Sequence, residues 1–200
     1  MRTLTTIEEL EELYDAAVPR ALTKVVHAMT PLYRQWIEAS RFLVLTTVGP
    51  EGTDASPRGD DGPVVRIDDE GRLLLPDWRG NNRIDSLRNV VRDGRVSLLF
   101  MVPGSNNVVR VNGRAVLTAD AELKASFDKN GKQPKTVMVV SIEEMYFQCA
   151  KALMRSKLWQ SEDESDAVPT AGEFQRERQA DFDAESYDEA YPEYAAPRMW

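Results

Sequence analysis

One cysteine, Cys149, and one histidine, His27, are all that the chain of 200 residues has of either type. A lone cysteine closes no internal disulfide, and no cysteine or carboxylate partner is spaced with the lone histidine, so no Cys/His pair, Ser/His/Asp set or metal-ligand spacing is found. Long apolar runs are missing as well. No segment approaches the ~20 apolar residues a membrane span needs, and the amino terminus, MRTLTTIEELEEL, is too acidic and too weakly apolar for a secretion signal. A soluble, cytoplasmic protein that makes no membrane contact is expected. Neither GxxxxGK[ST] nor GxGxxG occurs, so the P-loop and the Rossmann turn are both excluded.

The hydrophobic fraction of 42% is ordinary, and the length suits one main domain with appendages. The net charge of −8 is unevenly spread: residues 160–200 carry twelve acids against Arg176, Arg178 and Arg198, a net of −9, which leaves +1 for residues 1–159. The acidic average therefore does not exclude an anionic ligand on the body, where ten arginines lie between Arg58 and Arg114. Those arginines alternate with aspartates, among them Asp60, Asp68, Asp77 and Asp85, so no long basic patch for nucleic acid is expected.

Thr6-Ile7-Glu8-Glu9 fits a capping box, and Ile7, Leu10, Leu13 and Tyr14 recur at helical spacing. Further helices are expected over 21–29 and, from the Thr30-Pro31 start, through Ala39. The β-branched and aromatic runs at 42–48, 64–67, 72–75, 96–102, 107–118 and 135–147 read as six strands, with Gly113 as a candidate bulge and a helix over 120–127 between the last two. Short strands joined mainly by hairpins predict a mainly β fold with peripheral helices, a six-stranded antiparallel split β-barrel. Residues 1–40 form helices packed on the barrel, 41–159 the barrel domain, and 160–200 an acidic, partly helical tail. The tail opens on the polar linker SEDESDAVPT and carries a second capping box at Thr170, with Tyr187, Tyr191 and Tyr194 at helical spacing.

The stretch LLLPDWRGNNRIDSLRNVV, residues 73–91, reads as a strand, a polar turn and a helix that opens at Asn81 or Asn82. A lone Asn there caps its own helix. Here the Asn is doubled, Gly80 clears the backbone, and Arg79 and Arg83 set two permanent charges beside the free N–H groups, which suits a phosphate. Ile84, Leu87, Val90 and Val91 are expected to turn inward and fasten the loop. Two further clusters carry candidate anion ligands. Ser56 and Arg58 stand in the turn-like segment between the first two expected strands, and Lys151 and Arg155 lie four apart after the last one.

Taken together, DASPRGD, LLLPDWRGNNRIDSLRN, VSLLFMVPG and VRVNGRA make residues 42–147 resemble the pyridoxamine 5′-phosphate oxidase-like flavoproteins, the FMN-binding split-barrel family. The resemblance implies FMN as cofactor, bound at the interface of a homodimer. It also implies that Asn81, Asn82 and Arg83 contact the phosphate, that Leu75, Pro76 and Asp77 run past the ring and ribityl chain, and that Arg58 reaches the phosphate from the preceding strand. CAKALMRSKLW resembles a segment that an uncharacterised subfamily carries after the barrel, which implies that Lys151, Arg155 and Ser156 close the site from the same or the partner subunit. The Arg-x-His of true pyridoxamine phosphate oxidases is missing, and His27 reads as a surface or packing residue. The function expected is that of an FMN-dependent oxidoreductase acting on an unknown small-molecule substrate or electron donor, with no catalytic side chain identified. A non-catalytic flavin sensor or store, or a barrel binding a deazaflavin or haem, remain the alternatives.

Overall fold

The computed structural model describes residues 1–160 and 162–200; residue 161, in the expected linker, lies outside the described residues. In chain order come α1 (Ile7–Glu11), α2 (Pro19–Thr23), α3 (Pro31–Ala39), β1 (Phe42–Gly49), β2 (Gly52–Gly59), β3 (Arg66–Ile67), β4 (Leu73–Asp77) and α4 (Asp85–Arg92). They are followed by β5 (Arg95–Met101), β6 (Val108–Thr118), α5 (Ala121–Ser126), β7 (Thr136–Gln148), α6 (Lys151–Ser156), α7 (Ala171–Arg178) and α8 (Ala184–Ala195). Both capping boxes form, at Thr6 and at Thr170. The second helix is much shorter than 21–29, because Val26 leaves it to bridge Met145 through paired backbone hydrogen bonds.

The architecture is mainly β: one antiparallel sheet ordered β2-β1-β5-β6-β7-β4-β3, with helices around it. It has seven strands and is open, with β2 and β3 as its edges, which corrects the expected six-stranded barrel. The extra strand is β2, which contains the supposed turn-like segment Ala55-Ser56-Pro57-Arg58. It shows no apolar alternation because it is an edge strand with no fully buried residue, and an edge is where a strand tolerates a proline such as Pro57. The register Leu45↔Ser56 and Leu43↔Arg58 follows from the tight turn between Gly49 and Gly52. The expected strand at 64–67 shrinks to Arg66–Ile67, although Val64 and Val65 remain buried.

Period-two alternation in β1 and β5 sends Leu43, Leu45, Leu98 and Phe100 into the core with Ile37 of α3 and Val109, Val111 and Val140 of the longer strands. Burying each such side chain is worth about 1.5–3 kcal/mol, which makes this face of the sheet the rigid part of the molecule. The register between β6 and β7 shifts at Asn112/Gly113, and a side chain at Gly113 would collide with the Ser141 carbonyl. The expected bulge is therefore present, and it requires glycine for space. Although β2 and β4 stand far apart in the strand order, Arg58 Nη1 of one donates to Asp77 Oδ1 of the other at 2.9 Å. The sheet curls until its ends meet through side chains.

Candidate functional site

Where those ends meet there is a cavity of about 690 Å³. Three chain segments wall it: Asp54 to Arg58 of β2, Asp77 and the turn after β4 as far as Leu87, and Lys135-Thr136 at the start of β7. Asp77 pairs with Thr136 in the β4–β7 ladder, so these last residues reach the site by strand register.

Of the sequence-predicted residues, Ser56, Arg58, Asp77, Asn81, Asn82 and Arg83 line this one cavity. Leu75 and Pro76 are buried on β4 and line a smaller neighbouring cavity. Lys151, Arg155 and Ser156 form α6, which lines neither cavity, and the Ser156 hydroxyl donates to its own helix at Leu153 O. His27 sits away from the site and bonds through Nδ1 to the carbonyl oxygen of Glu143 at 2.7 Å.

The turn differs from its sequence reading in a way that follows from local backbone geometry. The helix opens at Asp85 rather than at Asn81 or Asn82, because Asn82 (φ 61°) and Ile84 (φ 53°) both lie in the left-handed region. Asn81 does not cap α4; its Oδ1 accepts from the Arg83 N–H at 3.0 Å, closing a two-residue side-chain turn. Asn82 Oδ1 accepts from Lys135 Nζ at 2.9 Å and so ties the turn to β7. The inward face of the helix is also narrower than its spacing suggests: Val90 is buried and Leu87 half-buried, while Ile84 and Val91 are exposed. Ser86 takes the remaining inward place, its hydroxyl donating to Asp54 Oδ2 of β2. Around Gly80 the space is open, so its missing side chain leaves the backbone accessible without being needed for packing.

Electrostatically the lining balances, with Arg58, Arg83 and Lys135 against Asp54, Asp77 and Asp85. Arg83 is bonded to Asp85, which pushes its guanidinium pKa up, and it is 80% exposed. Arg58 is 23% exposed and held by Asp77. Two polar side-chain atoms of the lining are buried with no hydrogen-bond partner, Arg58 Nε and Thr136 Oγ1. Buried polar groups are almost always paired, so a cavity lined by residues with two such atoms is built for a polar occupant. An arginine N–H, hydroxyls at Ser56 and Thr136, side-chain amides and an ammonium form a donor set suited to phosphate, and the residues present fit a phosphate-bearing cofactor. Sequence reasoning missed Asp54, Trp78, Ser86, Lys135 and Thr136; the first three lie inside the motifs DASPRGD and LLLPDWRGNNRIDSLRN, and Lys135-Thr136 open the last expected strand, where nothing gave the register against Asp77.

Residues 29–149 match the family model described as pyridoxamine 5′-phosphate oxidase, which spans more than half of the chain. The chain belongs to the pyridoxamine 5′-phosphate oxidase family. All the strands of this family member, and every residue lining the 690 Å³ cavity, fall inside the matched region. No curated protein matches the sequence. Among solved structures, the family member is similar to HupZ of Group A Streptococcus, at 16% identity and a TM-score of 0.48 over 58% of this chain and 91% of the other. It is also similar to a putative pyridoxamine 5′-phosphate oxidase from Lactobacillus delbrueckii, at 20% identity and a TM-score of 0.48, covering 60% and 95% of the two chains. General Stress Protein 26 from Bacillus anthracis str. Sterne is another, at 18% identity and a TM-score of 0.43, covering 56% and 88%.

Proposed function

We propose that this family member is an FMN-binding flavoprotein acting as an oxidoreductase, with the FMN phosphate held in the cavity between β2, the turn after β4 and the start of β7. The observation that carries the reading is the pair of buried, unpartnered atoms, Arg58 Nε and Thr136 Oγ1, in the lining. Both atoms are closed to solvent in the FMN-free chain, and a phosphate oxygen would supply the acceptor they lack once the walls shift to admit it, while Ser56, Lys135 and the Asn81-Asn82 amides supply further donors. Asp77 keeps Arg58 aimed, and Lys135 holds the turn against β7 through Asn82. Bound FMN would supply the electron transfer itself, which accounts for a site without a histidine or a cysteine among its lining residues. We further propose a homodimer in which Lys151, Arg155 and Ser156 of α6 approach the cavity from the partner subunit, since they do not reach it within one chain.

The visible absorption spectrum of the purified protein, followed by titration with FMN, tests the cofactor. Flavin bands or saturable uptake are expected; a colourless protein that takes up no added FMN would overturn the assignment. Anaerobic reduction of the loaded protein with NADH or NADPH and reoxidation by oxygen then separates an oxidoreductase from a flavin store. Sedimentation at micromolar concentration tests the dimer.

A further inference from the structure

Behind the cofactor cavity lies a second one, of about 220 Å³, that shares Arg58 and Trp78 with it and adds Leu75, Pro76 and Met199. Met199 comes from the residues after α8, well outside the family match, and two lysines between α5 and β7 hold that segment in place. Lys132 Nζ donates to the Pro197 carbonyl at 2.9 Å. The Lys129 ammonium stands 4.8 Å from the centre of the Trp200 ring and 5.6 Å from that of Trp78. Lys129 also donates to Asp60 and Asp61, and Asp60 Oδ2 accepts from Trp78 Nε1 at 3.0 Å.

These contacts form one continuous chain, Trp200 to Lys129 to Asp60 to Trp78, ending at a wall common to both cavities. An ammonium between two indole faces, with carboxylates beside it, has each neighbour favouring its charge. Burial alone would lower the Lys129 pKa, but the hydrogen bonds it donates to Asp60 and Asp61 raise it, so the link is ionised at neutral pH. With its side chain 30% exposed, Lys129 can turn to water once Trp200 is lost, leaving Asp60 with Trp78 Nε1 and the Asp61 N–H as its remaining partners.

We propose that Trp200 is a positioning residue for the cofactor cavity: residues 197–200 form a strap that holds Trp78 through Lys129 and Asp60 and walls the second cavity with Met199. The strap slows ligand exit by keeping the shared wall in place, a role that rests on the FMN reading.

The test uses the full chain with Trp200→Ala, with Trp200→Phe, which keeps an aromatic face for Lys129, and with Lys132→Met, which breaks the other anchor. Hydrogen–deuterium exchange of the peptide covering residues 76–84 is measured without FMN, and FMN release is followed by fluorescence recovery. Trp200→Ala and Lys132→Met are expected to raise exchange in that peptide and to speed FMN release roughly threefold to tenfold, with Trp200→Phe close to the parent. Unchanged exchange overturns the strap. Exchange that rises with no change in FMN release overturns it too, because Trp78 then moves without effect on what the cavity holds. A parent chain that binds no FMN defeats the cofactor reading instead, and the exchange comparison alone then decides whether residues 197–200 hold Trp78.

Discussion

Arg58 and Arg83 line the same cavity, but the first is 23% exposed on a strand and the second is 80% exposed on a turn. Each has an aspartate partner, and the partners differ in reach. Arg58 bonds Asp77, nineteen residues away, across the gap between two strands, whereas Arg83 bonds Asp85 two residues along its own turn. The strand wall is therefore held by the fold, and the turn wall largely by itself, with two left-handed residues and the Lys135–Asn82 bond as its fastenings. A binding energy that depends on preorganisation should come mainly from the strand wall, since a long exposed side chain must be ordered when it binds.

The largest expected effect follows from this difference. Arg58→Ala removes a buried donor and strands Asp77, and should weaken FMN by about 1.5–3 kcal/mol, whereas Arg83→Ala should cost no more than about 1 kcal/mol. Titration by flavin fluorescence quenching compares the two directly; equal losses would erase the distinction between the walls. Thr136→Val is the sharper probe because its two effects have opposite signs. Replacing a buried hydroxyl that has no partner in the protein should stabilise the FMN-free chain by up to about 1 kcal/mol, and losing the hydroxyl from the site should weaken FMN by about 0.5–1.5 kcal/mol. Thermal unfolding and FMN titration read the two separately.

On the turn wall, Asp85→Asn should act in the other direction. It removes a carboxylate from the lining and frees Arg83, so FMN should bind roughly two- to fivefold tighter, with a loss of about 0.3–1 kcal/mol in stability because an acid leaves the first turn of α4. Weaker binding in this variant would mean that Asp85 contacts the ligand as an acceptor. The smallest effect concerns strain. Ile84 is β-branched at φ 53°, a conformation that costs an L-residue about 1–2 kcal/mol, so Ile84→Gly should be neutral or stabilise by up to about 1 kcal/mol once the entropy cost of glycine is set against it. Chemical denaturation measures this, and a loss above about 1 kcal/mol would show that the Ile84 side chain is packed rather than strained.

The two walls also differ in how far the sequence disclosed them. The Arg-Gly-Asn-Asn-Arg turn stood out because its signals are local: polar residues, a glycine, and a helix about to begin. Its detailed geometry did not, since whether an Asn caps the helix or folds back on Arg83 depends on backbone angles that the residue types permit either way. On the strand wall Ser56 and Arg58 stood out as candidate anion ligands, but the strand that carries them did not. β2 lacks alternation because an edge strand has little to bury, so Ser56 and Arg58 read as a turn, and Thr136 looked like the ordinary start of a strand. The core of β1 and β5 was legible for the opposite reason, because burial on one face imposes period two on the residues themselves.

What the residues determined unaided is the mainly β, antiparallel character, the core strands and the capping boxes, because apolar periodicity, turn chemistry and cap residues act over a few positions. Tertiary structure alone decided that the sheet stays open with seven strands, that Arg58 meets Asp77, that Thr136 comes to the site through the register of β7 on β4, and that residues 197–200 lie beside Trp78. These are contacts between segments distant in the chain, set by how the curled sheet brings its ends together, and no local pattern of residues encodes that distance.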